Sequence, residues 1–289
     1  MKKIFYLLFF ISILYVANNI MFYLESSDIP KIVNKEKRAI VVGATSGMGR
    51  QVARALAQDG YEVGLVGRRI KLLNSLKQEI KTKTYIKQID ISKIEVAKDQ
   101  LQSLIKDMGG LDLIFISVTA QRDVVISGKG RKMSWDNSKK YIDVDLNGFW
   151  VSANVAIRQF EKQGYGHLVG VSSIGKIKGS PGCPEYSGAK AFIAKYLEGV
   201  RHTMIKKSLP IFVTEIIPGW VDVERKKYSD IKGHFWVSTA QEAACQIVQA
   251  IKDKKEKAYI TKRWVLMGWI LWLIPDWLYR MVQKYWWAK

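Results

Sequence analysis

The sequence predicts an α/β fold: a doubly wound parallel sheet of about seven strands with helices on both faces. Two observations carry this. From Arg38 onward, short β-branched and apolar runs alternate with longer amphipathic stretches, the pattern of right-handed βαβ crossovers. The first run leads into Gly43-Ala44-Thr45-Ser46-Gly47-Met48-Gly49 and then a helical pattern. Glycines there permit positive φ and let backbone N–H groups at a helix N-terminus approach a pyrophosphate, which makes the predicted sheet Rossmann-like.

Strands are expected near residues 39–43, 62–67, 85–90, 111–118, 167–172, 211–217 and 258–261, each a short run rich in Ile, Val, Leu or Tyr. Helices are expected between them, near 47–59, 70–80, 93–108, 135–163, 185–207 and 240–252, where apolar residues recur at helical spacing. These elements fill a catalytic domain over residues 37–262. Residues 4–24 carry no charged side chain and are long enough to cross a bilayer as a helix, so residues 1–36 are expected to be a membrane anchor and linker. Lys31, Lys35, Lys37 and Arg38 follow the apolar run and Lys2 and Lys3 precede it, a balance that leans toward a cytoplasmic domain. Residues 263–289 form a tail with Trp264, Trp269, Trp272, Trp277, Trp286 and Trp287 beside Lys262, Arg263, Arg280, Lys284 and Lys289. Residues 265–274 are too short to span, and Pro275 interrupts them. Tryptophan beside cations suits a lipid interface, and packing on the sheet or at a dimer interface suits it equally.

The 289 residues carry 46 Lys plus Arg against 26 Asp plus Glu, a net charge of +20, with 48% hydrophobic residues. That hydrophobicity excludes a disordered polycation, and two cysteines exclude a disulfide scaffold. The basic residues are spread along the chain without a nucleic-acid reading module, so no nucleic-acid partner is expected. His167, His202 and His234 have no Cys or carboxylate at ligand spacing, so no metal site is expected. Cys183, three residues before Tyr186, is placed to line a substrate cleft, and a buried inert thiol is the favoured expectation.

The chemistry-bearing residues follow the strands. The second strand ends Gly67-Arg68-Arg69. An acidic residue at that strand end would bond the ribose hydroxyls of NAD(H), whereas arginines pair with the 2′-phosphate of NADP(H). Asp90 ends the third strand, placed to bond adenine or to cap the next helix. Tyr186 and Lys190 are i and i+4 on one helix, so the ammonium lies beside the phenol and favours its ionised form. Ser173, thirteen residues before the tyrosine, closes a strand, from which its hydroxyl can polarise a carbonyl oxygen while Tyr186 handles the proton.

In this order of motifs the chain resembles the short-chain dehydrogenase/reductase family over residues 37–262: Gly43/Gly47/Gly49, Asp90, Leu111-Asp112-Leu113, Ser173, Tyr186-x3-Lys190 and Pro218-Gly219. The resemblance implies Tyr186 as acid/base, Ser173 as the residue orienting the carbonyl, and Lys190 on the nicotinamide ribose. It implies a cofactor site of Gly43, Thr45, Ser46, Gly47, Met48, Gly49, Arg68, Arg69, Asp90, Ser117, Tyr186, Lys190, Pro218, Gly219 and Val221. It also implies a homodimer through the helices near 135–163 and 185–207. The expected activity is NADP(H)-dependent interconversion of a carbonyl and a secondary alcohol. The apolar ends of the chain suggest a hydrophobic substrate and a membrane-surface location. The alternative is a non-catalytic NADP-binding scaffold or redox sensor at the membrane.

The chain departs from the family pattern in three places. In the segment after Pro218-Gly219, running on through Arg225-Lys226-Lys227, Tyr228 and His234, which the resemblance implies covers the nicotinamide and substrate, Val223 stands where the family usually has a threonine. Ser117-Val118-Thr119 stands where the family has Asn-Ala-Gly, so the local turn must differ. Asp145 stands where the family has an asparagine behind the lysine that helps to hold a relay water. A carboxylate still accepts from a water but adds negative charge near Lys190, which predicts an alcohol-oxidation optimum displaced to higher pH.

Overall fold

The computed structural model describes residues 37–120, 135–180, 183–222 and 235–286. The expected anchor at 1–36 lies outside them, as do Arg225, Lys226, Lys227, Tyr228 and His234 of the segment expected to cover the substrate. Strands β1 (Arg38–Val42), β2 (Glu62–Gly67), β3 (Thr84–Gln88), β4 (Leu113–Ile116), β5 (Gly166–Val171), β6 (Ile211–Pro218) and β9 (Lys257–Ile260) form one sheet in the order β3-β2-β1-β4-β5-β6-β9. Every pairing is parallel. Winding reverses between β1 and β4, which opens a crevice at the carboxyl ends of those strands.

Alternation along β1 builds both faces of the core. Ala39 and Val41 pack with Leu56, Phe115 and Ile247 on one side. Ile40 and Val42 pack with Ile114, Phe149 and Leu197 on the other. The helices on these faces are α1 (Gly47–Gln58), α2 (Ile70–Glu79), α3 (Ile94–Asp107), α4 (Trp135–Tyr141), α5 (Gly148–Gln163), α6 (Pro184–Lys206) and α7 (Ala240–Lys252). Arg38 pins the start of β1 to the approach to β4. Its backbone N–H and Nε both donate to Asp112 Oδ2, at 2.7 and 3.1 Å. Asp112 of the Leu-Asp-Leu motif is therefore a structural ion-pair partner.

Two regions differ from the sequence expectation. The single helix expected over 135–163 is broken: a π-helical stretch, Ile142–Asn147, joins α4 to α5. A π turn inserts an extra residue into the ladder and rotates what it carries, and here Asp145 is fully buried. Gly148 follows because Ile91 lies against it, with Cδ1 2.7 Å from where a Cβ would stand. The second difference is a two-stranded parallel ladder, β7 (Trp220–Asp222) with β8 (Val237–Thr239), which the sequence pattern did not suggest. Its strands are only three residues long, too short for a visible alternation.

After β9 come α8 (Trp264–Leu273) and α9 (Asp276–Trp286), bent by 115° across Pro275. Among the described residues no single helix is long and apolar enough to cross a membrane. Of the tail's tryptophans, Trp264 is buried against Gly219, while Trp269, Trp272 and Trp277 are exposed.

Candidate active site

The glycine loop after β1 is shaped by close approach. Gly43 has φ +94°, and a Cβ on it would stand 2.3 Å from the Ser117 carbonyl oxygen. A Cβ on Gly49 would stand 2.2 Å from the Gly43 carbonyl oxygen. Both collisions are with backbone and cannot be relieved, so the loop and the first turn of α1 require glycine there. Gly47 also has positive φ, +54°. The crevice above this loop is lined by Gly43, Thr45, Ser46, Gly47 and Met48 from the loop and by Arg68 and Arg69 after β2. Asp90 and Ser117 complete it at the ends of neighbouring strands. These nine residues belong to the predicted cofactor set, and the structure brings them together.

Arg69 reaches across that crevice. Its Nη2 donates to Thr45 Oγ1 at 2.6 Å and to Ser46 Oγ at 2.8 Å. The guanidinium thus sits at the rim of the phosphate loop. A side chain at Gly67 would place its Cβ 2.6 Å from Thr45 Cγ2, so any larger residue there would require Thr45 to shift. A nicotinamide dinucleotide fits this cradle: glycines where backbone must approach phosphate, and a cation where the adenosine ribose would end. Asp90 lines the crevice, and its Oδ1 accepts from the backbone N–H and hydroxyl of Ser92, at 3.1 and 2.7 Å. It does not cap the next helix, whose N-cap is Lys93 with no side-chain bond.

The predicted catalytic groups meet at the carboxyl end of the sheet. Ser173 follows β5 and is the N-cap of a 3₁₀ turn, Ile174–Lys176, its buried Oγ accepting from Gly175 N–H at 3.1 Å. That bond uses a lone pair and leaves the hydroxyl proton for a substrate oxygen. A Cβ on Gly175 would stand 3.5 Å from both Ser173 Oγ and Tyr186 Cε1. The bare glycine therefore keeps open the space between the serine hydroxyl and the tyrosine ring. On α6, Lys190 Nζ lies 5.7 Å from the Tyr186 ring centroid. It is almost wholly buried, donating to the carbonyls of Val171 at 3.2 Å and Val118 at 3.4 Å. Strand ends β4 and β5 thus fix the ammonium beneath the phenol.

Two of the departures from the family pattern turn out to be partners. Asp145 Oδ2 accepts from Thr119 Oγ1 at 2.7 Å, and Oδ1 accepts from Ala120 N–H at 2.5 Å. Oδ2 is also 3.8 Å from Lys190 Nζ. The threonine in the glycine position supplies the hydroxyl that binds the carboxylate in the asparagine position. Both carboxylate oxygens are engaged by the turn after β4 and the lysine, rather than by a relay water alone.

Pro218 and Gly219 lie at the end of β6, with Gly219 N–H donating to Ile260 O at 2.7 Å. Val221 is half-buried on β7. Gly49, Pro218, Gly219 and Val221 line none of the crevice described above; Gly49 acts through helix packing. Cys183 departs from expectation. It is half-exposed at the N-cap of α6, where Pro184 starts the helix, so it is not a buried thiol.

One feature of the site escaped the sequence pattern. Glu215, buried on β6, accepts from Ser172 Oγ at 2.5 Å and is ion-paired with Lys176. The pair ties down both ends of the segment that presents Ser173. Burial holds the Lys176 ammonium below the usual lysine pKa, and the Glu215 charge opposes that shift. The only trace in the sequence is an acidic residue inside the apolar run 211–218.

Fold and site together define an oxidoreductase that uses a nicotinamide cofactor on alcohol and carbonyl groups. Residues 37–232 match the short chain dehydrogenase family model, and the chain belongs to that family. It is 31% identical over 191 residues to an uncharacterised oxidoreductase of Myxococcus xanthus, covering 65% of this chain and 73% of that protein. It is 29% identical over 195 residues to the 3-oxoacyl-acyl-carrier-protein reductase of Chlamydia muridarum, covering 66% of this chain and 76% of the reductase. Among solved structures, a 7beta-hydroxysteroid dehydrogenase superposes with a TM-score of 0.69 at 22% identity, over 80% of this chain and 90% of that one. A serine dehydrogenase in complex with NADP+ superposes with a TM-score of 0.63 at 21% identity, over 74% and 88%. At such identities these two likenesses speak for the fold.

Proposed function

We propose that the chain is an NADP(H)-dependent carbonyl/secondary-alcohol oxidoreductase acting on a hydrophobic substrate at a membrane surface. The observation that carries the cofactor choice is Arg69, held by Thr45 and Ser46 beside Gly67, where any side chain would press on Thr45. A 2′-phosphate there would meet Arg69, Arg68 and the two hydroxyls, all capable of charge-assisted or neutral bonds to its oxygens. The serine dehydrogenase whose fold is similar is described with NADP+, which supports the same choice.

When bound, the cofactor supplies or receives the hydride at the carbonyl carbon. The chain's own residues handle the oxygen. Ser173 donates its hydroxyl proton to the carbonyl oxygen and fixes its position. In the reducing direction Tyr186 delivers the proton to that oxygen as charge builds on it, and in the oxidising direction it removes the alcohol proton. Lys190 places a positive charge under the phenol and stabilises the phenolate in either direction.

A hydrophobic substrate is supported by Trp220, Trp236 and Trp264, which stack edge to face with centroid separations of 5.8 and 5.5 Å beside Gly219. A membrane-surface location is supported by the exposed Trp269, Trp272 and Trp277 and by the apolar run at residues 4–24. With the cations after that run, the reading places the catalytic domain on the cytoplasmic side. We also propose a homodimer through α4, α5 and α6. Oxidation of NADPH and of NADH by the purified chain, across a panel of lipophilic ketones, tests the reading. Turnover with NADPH preferred is expected, a stronger response to NADH overturns the role of Arg69, and tight NADPH binding without turnover supports a non-catalytic scaffold instead.

A further inference from the structure

Helices α8 and α9 present an apolar surface that nothing among the described residues covers. Leu266, Trp269, Trp272, Leu273 and Trp277 are each about 60–70% exposed, a cluster far larger than the scattered apolar residues of an ordinary surface. The charge around it has one sign. Lys262, Arg263, Arg280 and Lys284 lie on or beside these helices, and their one acidic residue, Asp276, is paired with Lys178. A second copy presenting the same face would bring these cations together, whereas an anionic bilayer complements both the charge and the tryptophans.

The same helices grip two segments, one after Ser173 and one after β6, that the proposed function makes the walls of the substrate site. On one side, Lys178 Nζ donates to Asp276 Oδ1 at 2.5 Å, and Tyr279 Oη donates to the Gly179 carbonyl at 3.1 Å. Lys178 and Gly179 belong to the segment that leads from Ser173 toward Tyr186. On the other side, the Trp264 ring lies against Gly219, and its Nε1 donates to the Trp236 carbonyl at 3.0 Å. Arg263 stacks on Phe235, 4.7 Å from its centroid.

We infer that α8 and α9 dock on anionic lipid and that docking activates the enzyme by fixing these two walls around the substrate. The inference rests on the membrane-surface reading and adds regulation to it. Bilayer contact orders the two helices, and the bonds through Asp276 and Tyr279 pass that order to the segment carrying Ser173.

The test uses the full chain in vesicles of phosphatidylcholine alone or mixed with phosphatidylglycerol. Two quantities are read: quenching of tryptophan emission by brominated acyl chains, and kcat/KM with NADPH for the most water-soluble ketone of that panel to be turned over. Quenching that deepens with phosphatidylglycerol is expected, and W269Q/W272Q/W277Q should lose it. Phosphatidylglycerol should also raise kcat/KM by about fivefold, the bias one net hydrogen bond can supply. D276N/Y279F should keep both the quenching and the basal rate in detergent but lose the lipid-dependent rise. Quenching without any rise in rate overturns the coupling and leaves the membrane reading intact. No dependence of quenching on the three tryptophans overturns docking by these helices. A rise in rate that follows protein concentration without lipid, with a doubling of mass, assigns the face to a second copy and overturns the inference. Absence of turnover in detergent and vesicles alike refutes the oxidoreductase reading itself, and the inference falls with it.

Discussion

Replacing Asp145 by Asn removes one buried negative charge with little change of shape. The amide oxygen can accept from Ala120 N–H, and the amide N–H₂ can donate to Thr119 Oγ1, which replaces the two bonds made by the carboxylate. What changes is the field at Tyr186. Asp145 Oδ2 is 3.8 Å from Lys190 Nζ, and Nζ is 5.7 Å from the tyrosine ring centroid. The carboxylate therefore lies no farther from the ring than those two separations laid end to end. Over roughly 10 Å at an effective dielectric near 20, its repulsion of negative charge on the phenol oxygen is about 1.7 kcal/mol, about 15- to 20-fold in rate. Losing that repulsion favours the charged oxygen that removes the alcohol proton, so alcohol oxidation should speed up. The assay is kcat/KM for oxidation of a secondary alcohol with NADP+ at neutral pH, for wild type and D145N, with melting temperature as a check on folding. A rise of up to about 15- to 20-fold is expected. An unchanged or lower rate in a well-folded variant refutes the electrostatic argument.

Arg69→Gln should raise the KM for NADPH by about 10- to 100-fold, as expected for losing one or two charge-assisted bonds, and leave NADH nearly unaffected; parallel titrations measure it. Gly175→Leu fills the space between Ser173 Oγ and the Tyr186 ring, so turnover should fall at least about 100-fold while cofactor affinity, read by fluorescence, holds. Lys176→Met strands the Glu215 carboxylate at 1% exposure and should cost about 3–5 kcal/mol in urea unfolding, most of it recovered when Glu215 is also made apolar. His167, bonded to Thr214 Oγ1 at 2.8 Å, has its pKa lowered from 6.5 to about 3 by burial and by Lys254. Its contribution is complete above pH 6.5 and drains away as pH falls toward 3, so about 2 kcal/mol should be lost between pH 7 and 5, a slope that His167→Gln should flatten in chemical denaturation.

How much of this was legible in the sequence depends on chain distance. Tyr186 and Lys190 are one helical turn apart, and Ser173 closes a strand, so local pattern alone places them. The glycines announce themselves because no other residue tolerates the contacts of Gly43 and Gly49. Seven sheet strands follow from the alternation of apolar runs. Glu215 and Lys176 are 39 residues apart, and Thr119 and Asp145 are 26 apart. No periodicity reports such pairings; they exist only once parallel strands bring their carboxyl ends together. The break in the long helix before α5 was equally hidden, because a π stretch costs one residue of register and leaves the apolar pattern on either side intact.

That distinction bears on whether the chain is an enzyme or a scaffold. Taken singly, Asp145 and Ser117-Val118-Thr119 look like erosion of a catalytic pattern. Taken as a pair they are matched: the carboxylate brings a second acceptor oxygen, and the threonine hydroxyl and the Ala120 N–H engage both. A buried carboxylate without such partners would cost several kcal/mol, so Asp145 depends on the bonds from Thr119 and Ala120. Lys190 completes the arrangement, placed between Asp145, two strand-end carbonyls and the ring it serves. Erosion leaves orphaned polar groups behind it, whereas here the substituted groups satisfy one another and converge on Lys190, the arrangement expected of a site that still carries out chemistry on altered electrostatic terms.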